Sequence, residues 1–165
     1  MIARVVIACL LCAASSSLAA DNPQVRIEPS HLQGPRPLEK QTEAAVIRDY
    51  LQAWASLRNA FAQNRGDLLD SSFVGDARGK LGETISERNR LGVTTRYQDR
   101  THDIQIVFYS PDGLSIQLID NVAYDMQMFE KEKIKTSETA SERYVVVLTP
   151  SEVRWRVRIL QGQAN

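Results

Sequence analysis

The fold is decided by one stretch of sequence, Thr42-Glu-Ala-Ala-Val-Ile-Arg-Asp-Tyr-Leu-Gln-Ala-Trp-Ala-Ser-Leu-Arg-Asn-Ala-Phe61. Its apolar residues recur at three- and four-residue steps, which is the spacing of one face of an α-helix. Thr42 is a suitable N-cap, and Glu43 follows in the first turn, where the helix dipole favours an anion. The spacing therefore predicts an amphipathic helix of about five to six turns. We expect it to end near residues 64–66, with Gly66 in the left-handed C-cap conformation.

Two shorter helices are predicted after the long one. The second begins at residues 67–69, and the third covers residues 76–89, where Leu81 and Ile85 are one helical turn apart. Gly79 and Gly82 weaken the third helix, because each costs about 1 kcal/mol relative to Ala in a helix interior. Gly92 is a suitable residue to end it.

A run of β-strands is predicted after Tyr97, where the apolar period changes from helical to two residues. The predicted strands are residues 104–109, 114–128, 142–149 and 153–160. Turn residues separate the first two strands at 111–113 and the last two at 150–152. Residues 130–141 are almost wholly charged or small, so we expect them to form a solvated hairpin tip.

The first twenty residues have the layout of a secretory signal peptide, with a positive charge at Arg4, an apolar stretch at 5–14 and small residues at 17–20. The apolar stretch is shorter than the roughly 20 residues that span a bilayer. We expect cleavage near Ala19 or Ala20 and a periplasmic or secreted protein. The alternative is lipid attachment at Cys9, because the residues before it resemble a lipoprotein signal.

The rest of the chain divides into an extended, proline-containing arm at 21–41, one α+β domain at 42–161 and a tail at 162–165. Without Arg4 the 20 basic residues become 19 against 20 acidic ones, a net charge of −1. Near-neutrality argues against a nucleic-acid-binding surface. Both cysteines lie in the signal segment, and two histidines alone do not make an ordinary zinc site. We therefore expect no metal, no cofactor and no transmembrane segment in the mature chain.

The order of one long helix, two short helices and antiparallel strands ending in Val153-Arg-Trp-Arg-Val-Arg-Ile-Leu160 resembles the nuclear transport factor 2-like superfamily. The superfamily includes ketosteroid isomerases, SnoaL-like cyclases and many non-enzymatic modules. The resemblance covers residues 42–160 and looks closest to the non-catalytic branch that includes a domain of plastid and cyanobacterial division proteins. It implies an α+β fold in which the helices pack in a curved antiparallel sheet of about four strands. It also implies a cone shape with a pocket at the wide end.

Asp120 is the sharpest candidate for catalysis. On a regular strand its carboxylate shares the apolar face with Leu118, Val122 and Tyr124, where loss of water raises the pKa of a carboxyl group toward that of an acid-base catalyst. The favoured alternative is a β-bulge near Asp120 and Asn121 that turns the carboxylate to solvent.

Four aromatic residues are candidates for the wall of a ligand pocket: Tyr50, Trp54, Tyr97 and Tyr124. Aromatic residues at helical spacing are more often ordinary core, and that is the alternative here. His102 stands beside Asp103, but adjacent strand residues point to opposite faces, so we expect a surface histidine and not a catalytic pair.

Arg154, Arg156 and Arg158 alternate with apolar residues on the last predicted strand, so they should share one outer face. The favoured interpretation is a solvated face paired with acidic residues across the sheet. The alternative is a surface for an acidic partner, and a homodimer through the sheet face is a further expectation.

No nucleophile and base pair, metal cluster or cofactor motif stands out in the sequence. We therefore expect an exported, non-catalytic binding or scaffold domain for a protein partner or a small apolar ligand in the cell envelope. The main rival is an isomerase, cyclase or dehydratase that uses Asp120, with Tyr97 or Tyr124 as hydrogen-bond donor. A third hypothesis is a subunit of an envelope complex tethered by the arm at 21–41.

Overall fold

The computed structural model describes residues 22–30, 32 and 36–163. The predicted signal peptide, its cleavage site and Cys9 lie outside these residues. The structure is α+β, with its elements in the order β1 (Gln24–Ile27), α1 (Lys40–Gln63), a short 3-10 helix (Gly66–Leu69), α2 (Gly75–Arg90), β2 (Val93–Tyr109), β3 (Ile116–Glu130), β4 (Lys133–Pro150) and β5 (Trp155–Gln163). In the described part of the chain, no helix has the length and apolarity needed to cross a bilayer.

The long helix α1 is confirmed, but both of its ends differ from the prediction. It begins at Lys40 after Glu39, which makes no side-chain cap, so Thr42 lies inside the first turn. At the other end Asn64, not Gly66, takes the left-handed conformation, with φ of 52°, and its backbone N–H reaches the Ala60 carbonyl. Asparagine tolerates this conformation better than most residues. Its side-chain amide also donates to the Val93 carbonyl at 2.8 Å, which ties the end of α1 to the sheet.

The two shorter helices have unequal lengths. The second predicted helix is a single 3-10 turn, and the third is the α-helix α2. Gly75 is the first residue of α2 and has a φ of 55°, and Gly92, two residues after the end of α2, has a φ of 67°. A residue with a side chain would be strained at these positive φ values. Between the two helices, Phe73 bridges to Val157 of β5 in parallel, which extends the sheet edge by one residue.

The sheet has five strands in the order β1-β2-β3-β4-β5, one more than predicted. β1 lies within the arm and pairs in parallel with β2, so that Gln24 stands opposite Thr101 and Ile27 opposite Ile104. The other three pairings are antiparallel. The prediction missed β1 because the strand has only four residues, all exposed, and its alternation of Val25 and Ile27 with polar residues is too short to stand out in a proline-containing segment.

The hairpin between β3 and β4 is much tighter than the solvated tip predicted at 130–141. Only Lys131 and Glu132 form the turn, both with positive φ, at 48° and 64°. Positive φ at both central residues is the type I′ geometry, which matches the twist of the flanking strands. The exposed residues that follow are part of β4, so the charged segment is a long outer strand.

β-Bulges decide which side chains face α1. One bulge places Arg100 as an extra residue in β2, and another places Arg158 as an extra residue in β5. Each bulge reverses the alternation of inward and outward residues beyond it. Leu160, opposite the buried Val146, therefore lies on the inner face, where strict alternation predicts Ile159.

The core lies between the concave face of the sheet and α1, with α2 and the 3-10 turn closing one side. Its largest fully covered side chains include Tyr50 on α1, Phe73, Ile85 on α2 and Leu118 on β3. Asp49 of α1 accepts a hydrogen bond from the Trp155 backbone N–H at 2.8 Å, which fixes α1 against β5. This packing leaves the inner faces of β2, β3 and β4 to form the candidate site.

Candidate functional site

Asp120 points into the core, and the alternative of a bulge that turns it to solvent is wrong. β3 pairs with β4 in continuous register from Ile116 to Met128, the bulges in its pairing with β2 lie in β2, and buried residues alternate along β3 from Ile116 to Tyr124. Asp120 is 0% exposed and lies on the same face as Leu118 and Val122. A carboxylate in such a place needs hydrogen-bond partners to offset the loss of water.

Two side chains bind the Asp120 carboxylate. Tyr50 of α1 donates from its hydroxyl to Oδ2 at 2.9 Å, and His102 Nδ1 lies 2.7 Å from the same oxygen. His102 is 0% exposed, so the expectation of a surface histidine is wrong. His102 alternates regularly with the buried Ile104 and Ile106, which turns its ring into the core. The bulge at Arg100 then brings Asp99 to the same inner face, although Asp99 and His102 are three residues apart.

Beyond His102 the polar contacts continue toward α1. His102 Nε2 is 3.5 Å from Asp99 Oδ2, and Arg58 of α1 donates to that same Asp99 oxygen. We call these five residues, Tyr50, Asp120, His102, Asp99 and Arg58, the polar chain. It alternates acceptors with donors, and two carboxylates face one guanidinium and one imidazole, so its charges balance when the imidazole carries a proton.

Burial controls the protonation of both ends of the polar chain. It raises the pKa of Tyr50 well above its ordinary value, and the Asp120 charge raises it further. At the other end, burial lowers the pKa of Arg58. Tyr50 is therefore a neutral hydroxyl that donates to Asp120 over the whole physiological range.

Several buried polar atoms in and beside the polar chain have no hydrogen-bond partner in the structure: Asp120 Oδ1, His102 Nε2, Asp99 Oδ1 and Trp54 Nε1. Unsatisfied buried groups are costly and therefore informative about function or strain. Because these atoms cluster in one part of the core, that part lowers the stability of the fold.

A small pocket lies next to the polar chain, enclosing about 170 Å³. Three of the four aromatic residues predicted to line a pocket are in its wall, but Tyr50 belongs to the polar chain instead. Neither Asp120 nor His102 reaches the wall. We call it the aromatic pocket, and its lining residues are Trp54, Leu57, Phe61, Leu81, Tyr97, Tyr124, Tyr144 and Leu160.

The aromatic walls of this pocket meet at steep angles. The rings of Trp54 and Tyr144 are 5.5 Å apart at 76°, and those of Tyr97 and Tyr124 are 5.6 Å apart at 77°. Such edge-to-face contacts are favourable and hold the rings in place. Sequence analysis missed Tyr144, although it alternates with Val146 and Leu148 on a predicted strand, which is the signal for an inward-facing residue.

The three tyrosine hydroxyls of the pocket stay protonated near neutral pH. Burial raises the pKa of Tyr144 well above its ordinary value, and the hydrogen bond that Tyr144 donates to Glu142 raises it further. Burial and the Glu142 charge raise the pKa of Tyr124 to about 12. Burial also raises the pKa of Tyr97, and Arg88 partly opposes it.

Trp54 separates the aromatic pocket from the polar chain. Its ring lines the pocket and lies 5.5 Å from the Tyr144 ring on that side. The His102 ring is 5.3 Å away. One side chain of α1 therefore covers the titratable groups and forms part of the ligand-accessible wall.

The predicted row of three arginines on one outer face is wrong. Arg154 precedes β5, and the bulge at Arg158 changes the alternation beyond Val157. Arg156 is half-buried, and its guanidinium donates to the backbone carbonyls of Asp70 at 2.6 Å and Phe73 at 3.2 Å. Only Arg154 and Arg158 remain exposed.

Within the described residues, His, Cys, Asp and Glu side chains form no group of three or more that could hold a metal ion. The two histidine-carboxylate contacts belong to the polar chain, where the ring atoms face oxygens of Asp99 and Asp120.

Neither a protein-family model nor a curated protein matches the sequence. Solved structures do match it in shape. The intermembrane space region of chloroplast protein ARC6 is 13% identical with a TM-score of 0.64, covering 79% of this chain and 100% of that one. A provisionally named scytalone dehydratase from Novosphingobium aromaticivorans is 11% identical with a TM-score of 0.53, covering 76% and 89%.

A protein from Catenulispora acidiphila in complex with S-DNPA also matches, with 15% identity, a TM-score of 0.51 and coverage of 72% of this chain and 92% of that one. At such low identities the likeness concerns the fold alone. It shows that this chain shares the α+β fold of these solved structures, which agrees with the resemblance stated from the sequence.

Proposed function

We propose that this chain is an exported, non-catalytic binding domain whose aromatic pocket takes a small apolar ligand or an apolar side chain of a protein partner. The observation that carries the proposal is the separation of the pocket from the titratable groups. The pocket is open to a ligand and walled by five aromatic rings, whereas Asp120 and His102 are fully buried behind Trp54.

The size of the pocket limits what it holds. Its volume of about 170 Å³ is close to that of an engineered cavity of roughly 150 Å³ that binds benzene. Drug-sized molecules need pockets of about 300 Å³ or more. The occupant is therefore a single ring, a short branched alkyl group or one side chain of a larger molecule.

Trp54 fluorescence tests this proposal. The chain has two tryptophans, so Trp155→Phe isolates the Trp54 signal. We expect toluene and benzene to change Trp54 emission in a saturable way, because each fits the pocket against the indole ring of Trp54. Leu160→Phe fills the pocket from β5 and should abolish the response.

The matched control is Leu114→Phe, which makes the same change at an exposed site away from the pocket. It should leave the response intact. Saturable binding that survives in Leu160→Phe would show that the ligand binds elsewhere, and the proposal would then be wrong.

One observation favours a second candidate, an enzyme that moves a proton next to a carbonyl group. His102 Nδ1 and Asp120 Oδ2 are 2.7 Å apart. The other polar atoms of the two side chains, His102 Nε2 and Asp120 Oδ1, make no hydrogen bond, and they lie behind a single side chain, Trp54. A rotation of Trp54 would open the pair to the pocket, and such a pair performs general acid-base chemistry.

Deuterium exchange distinguishes the two candidates. A small cyclic ketone is incubated with the protein in heavy water, and exchange of the hydrogens next to the carbonyl is followed by NMR. Under our proposal the rate equals that of a buffer control. Exchange that is faster with the protein and lost in His102→Gln would favour the enzyme.

Location in the periplasm or outside the cell is part of the same proposal. Its support is the layout of residues 1–20 together with the absence of cysteine from the rest of the sequence. Mass measurement of the protein from a cell-envelope fraction tests it. We expect a chain that begins at Ala20 or Asp21, and a mass that includes Met1 to Ala19 would contradict export.

A further inference from the structure

The aromatic pocket has an acidic side. Glu142 of β4 is half-buried and accepts a hydrogen bond from Tyr144, one of the lining residues. Its charge also acts on the hydroxyls of Tyr124 and Tyr97. None of the eight lining residues carries a charge, so this carboxylate sets the sign of the electric potential on its side of the pocket.

Arg88 is a basic group that acts on Tyr97, and its guanidinium is already engaged. Arg88 of α2 donates to Thr95 Oγ1, and its guanidinium lies 5.0 Å from the centre of the Phe61 ring. Phe61 is itself a lining residue, so one face of the pocket wall already packs a cation. Aromatic rings attract cations through the negative charge of their faces.

Four aromatic rings in two steep pairs, beside a carboxylate, are the composition of a cage for an organic cation. Within each pair the rings meet edge to face, at 76° and 77°, so the two rings of a pair lie in different planes beside the pocket that all four line. A phenol that donates its proton to a carboxylate has a more electron-rich ring, which strengthens attraction to a cation. A quaternary ammonium group suits such a space because its surface is methyl groups and it needs no hydrogen-bond acceptor.

We propose that the aromatic pocket binds the trimethylammonium head of a small organic cation of the choline type. This inference rests on the proposed function, because it concerns the same pocket and names the class of its ligand. The volume of about 170 Å³ admits the head group, which is about the size of benzene, and leaves the remainder of the molecule outside.

Three molecules of nearly one shape test the inference. Choline carries a positive charge, dimethylbutanol replaces its nitrogen with carbon and is neutral, and dimethylbutanoate is the corresponding anion. We expect choline to bind about tenfold more tightly than dimethylbutanol, as cation-aromatic attraction predicts, and dimethylbutanoate to bind more weakly still. Calorimetry or the Trp54 signal measures all three.

Glu142→Gln should reduce choline affinity by about tenfold and leave dimethylbutanol within about twofold, because only the charged ligand loses an attraction. The matched control is Glu152→Gln, the same change in the turn at the opposite end of the β4 and β5 hairpin. Tyr144→Phe keeps the ring but removes its bond to Glu142, and it should weaken choline binding by a smaller factor. Circular dichroism and thermal unfolding check that each variant is folded.

Each result has one meaning. Choline preferred over dimethylbutanol in the wild-type chain, with the preference lost in Glu142→Gln, supports the inference. Equal or tighter binding of the neutral molecule overturns it and leaves the apolar pocket of the proposed function standing. If no member of the set binds, and toluene and benzene do not bind either, both proposals fail. A glycerophosphocholine arm separates sources: binding tighter than choline indicates a lipid head group, and weaker binding indicates a free cation.

Discussion

The polar chain and the aromatic pocket are neighbours on one concave surface, yet one buries polar groups and the other leaves apolar groups accessible. The polar chain keeps five polar side chains largely from water. Three short hydrogen bonds or ion pairs join Tyr50 and His102 to Asp120 and Arg58 to Asp99, and the two groups meet where His102 Nε2 lies 3.5 Å from Asp99 Oδ2. The aromatic pocket keeps apolar rings partly accessible and leaves a space of about 170 Å³ between them. Trp54 belongs to both, since its ring packs on His102 and lines the pocket.

This contrast teaches that the most titratable part of a fold need not be its binding site. A buried chain of charges is costly when one member is lost, so its residues contribute to the uniqueness of the core. An open aromatic space costs packing energy, since its rings lack neighbours on one side. Substitutions in the polar chain should therefore mainly lower the stability of the fold, and substitutions in the pocket should mainly change ligand binding.

Trp54→Ala should have the largest effect, because it damages both regions at once. Trp54 is 4% exposed, and truncation of a core aromatic side chain typically costs about 3 to 5 kcal/mol. Chemical denaturation measures it. Leu114→Ala, at a residue 59% exposed, should change the unfolding free energy by about 0.5 kcal/mol or less. A Trp54→Ala effect below about 1 kcal/mol would mean that α1 packs through another face.

Asp120→Asn tests the polar chain by itself. Tyr50 and His102 both bond to Oδ2, and an amide oxygen in its place can accept both bonds. The variant nevertheless removes the buried negative charge and puts an amide NH2 where Oδ1 has no partner, so we expect a loss of about 2 to 3 kcal/mol in unfolding free energy. Binding of toluene by the folded variant should stay unchanged. Asp125→Asn, the same change on the outer face of β3, should have a much smaller effect. If both variants lose ligand binding equally, the two regions are not independent.

The pocket tyrosines predict a loss of stability at high pH. Folding raises the pKa of Tyr124 to about 12, mainly through burial, so the folded state holds this proton more tightly than the unfolded state. The stabilisation is complete below about pH 10, the ordinary pKa of tyrosine, and is lost as pH rises through about 12. Denaturation curves and tyrosinate absorbance between these values measure it. Tyr124→Phe should make the decline shallower, and an unchanged decline would assign it to other groups.

Substitution of Arg156 should have the smallest effect. Because Arg156 is only half-buried, it shows how much less a partly covered polar group contributes to stability than the buried polar chain. Its guanidinium serves two backbone carbonyls, so Arg156→Gln should cost about 1 kcal/mol. Arg158→Gln removes an exposed charge and should stay within about 0.5 kcal/mol. Thermal unfolding of the two variants side by side checks the difference. Equal effects would mean that the Arg156 hydrogen bonds contribute nothing net.

Periodicity predicted those parts of the fold in which the backbone is regular. The apolar spacing of Val46 to Phe61 is that of α1, and the alternation around Asp120 is that of β3. β1 could not be predicted in this way, because its exposed residues are held only by parallel pairing with β2, a contact made across the length of α1 and α2. The turn at Lys131 and Glu132 lacks the Asn-Gly or Asp-Gly pair that normally signals its geometry.

The candidate site was hidden by bulges. Regular alternation places Asp99 and His102 on opposite faces of β2, and one extra residue at Arg100 brings them together. No local signal marks that position, since Arg100 is an ordinary exposed residue paired with Asp125. Asp120 and three of the pocket aromatics were found because they lie where β3, α1 and β2 keep their period. The burial of His102 could have been predicted, because it alternates with Ile104 and Ile106. The row of arginines failed because Arg154 precedes β5 and the Arg156 guanidinium bonds to two backbone carbonyls.

The parallel pairing of β1 has a consequence for the order in which the chain folds. During synthesis β1 emerges first, but its partner β2 follows only after α1 and α2, so closing this contact means closing one of the longest loops in the molecule. Local helices and the β2 to β5 hairpins form from much nearer partners. β1 should therefore be the last strand to dock and the first to leave, which makes residues 22–30 the place where proteases and hydrogen exchange first gain access to the native state.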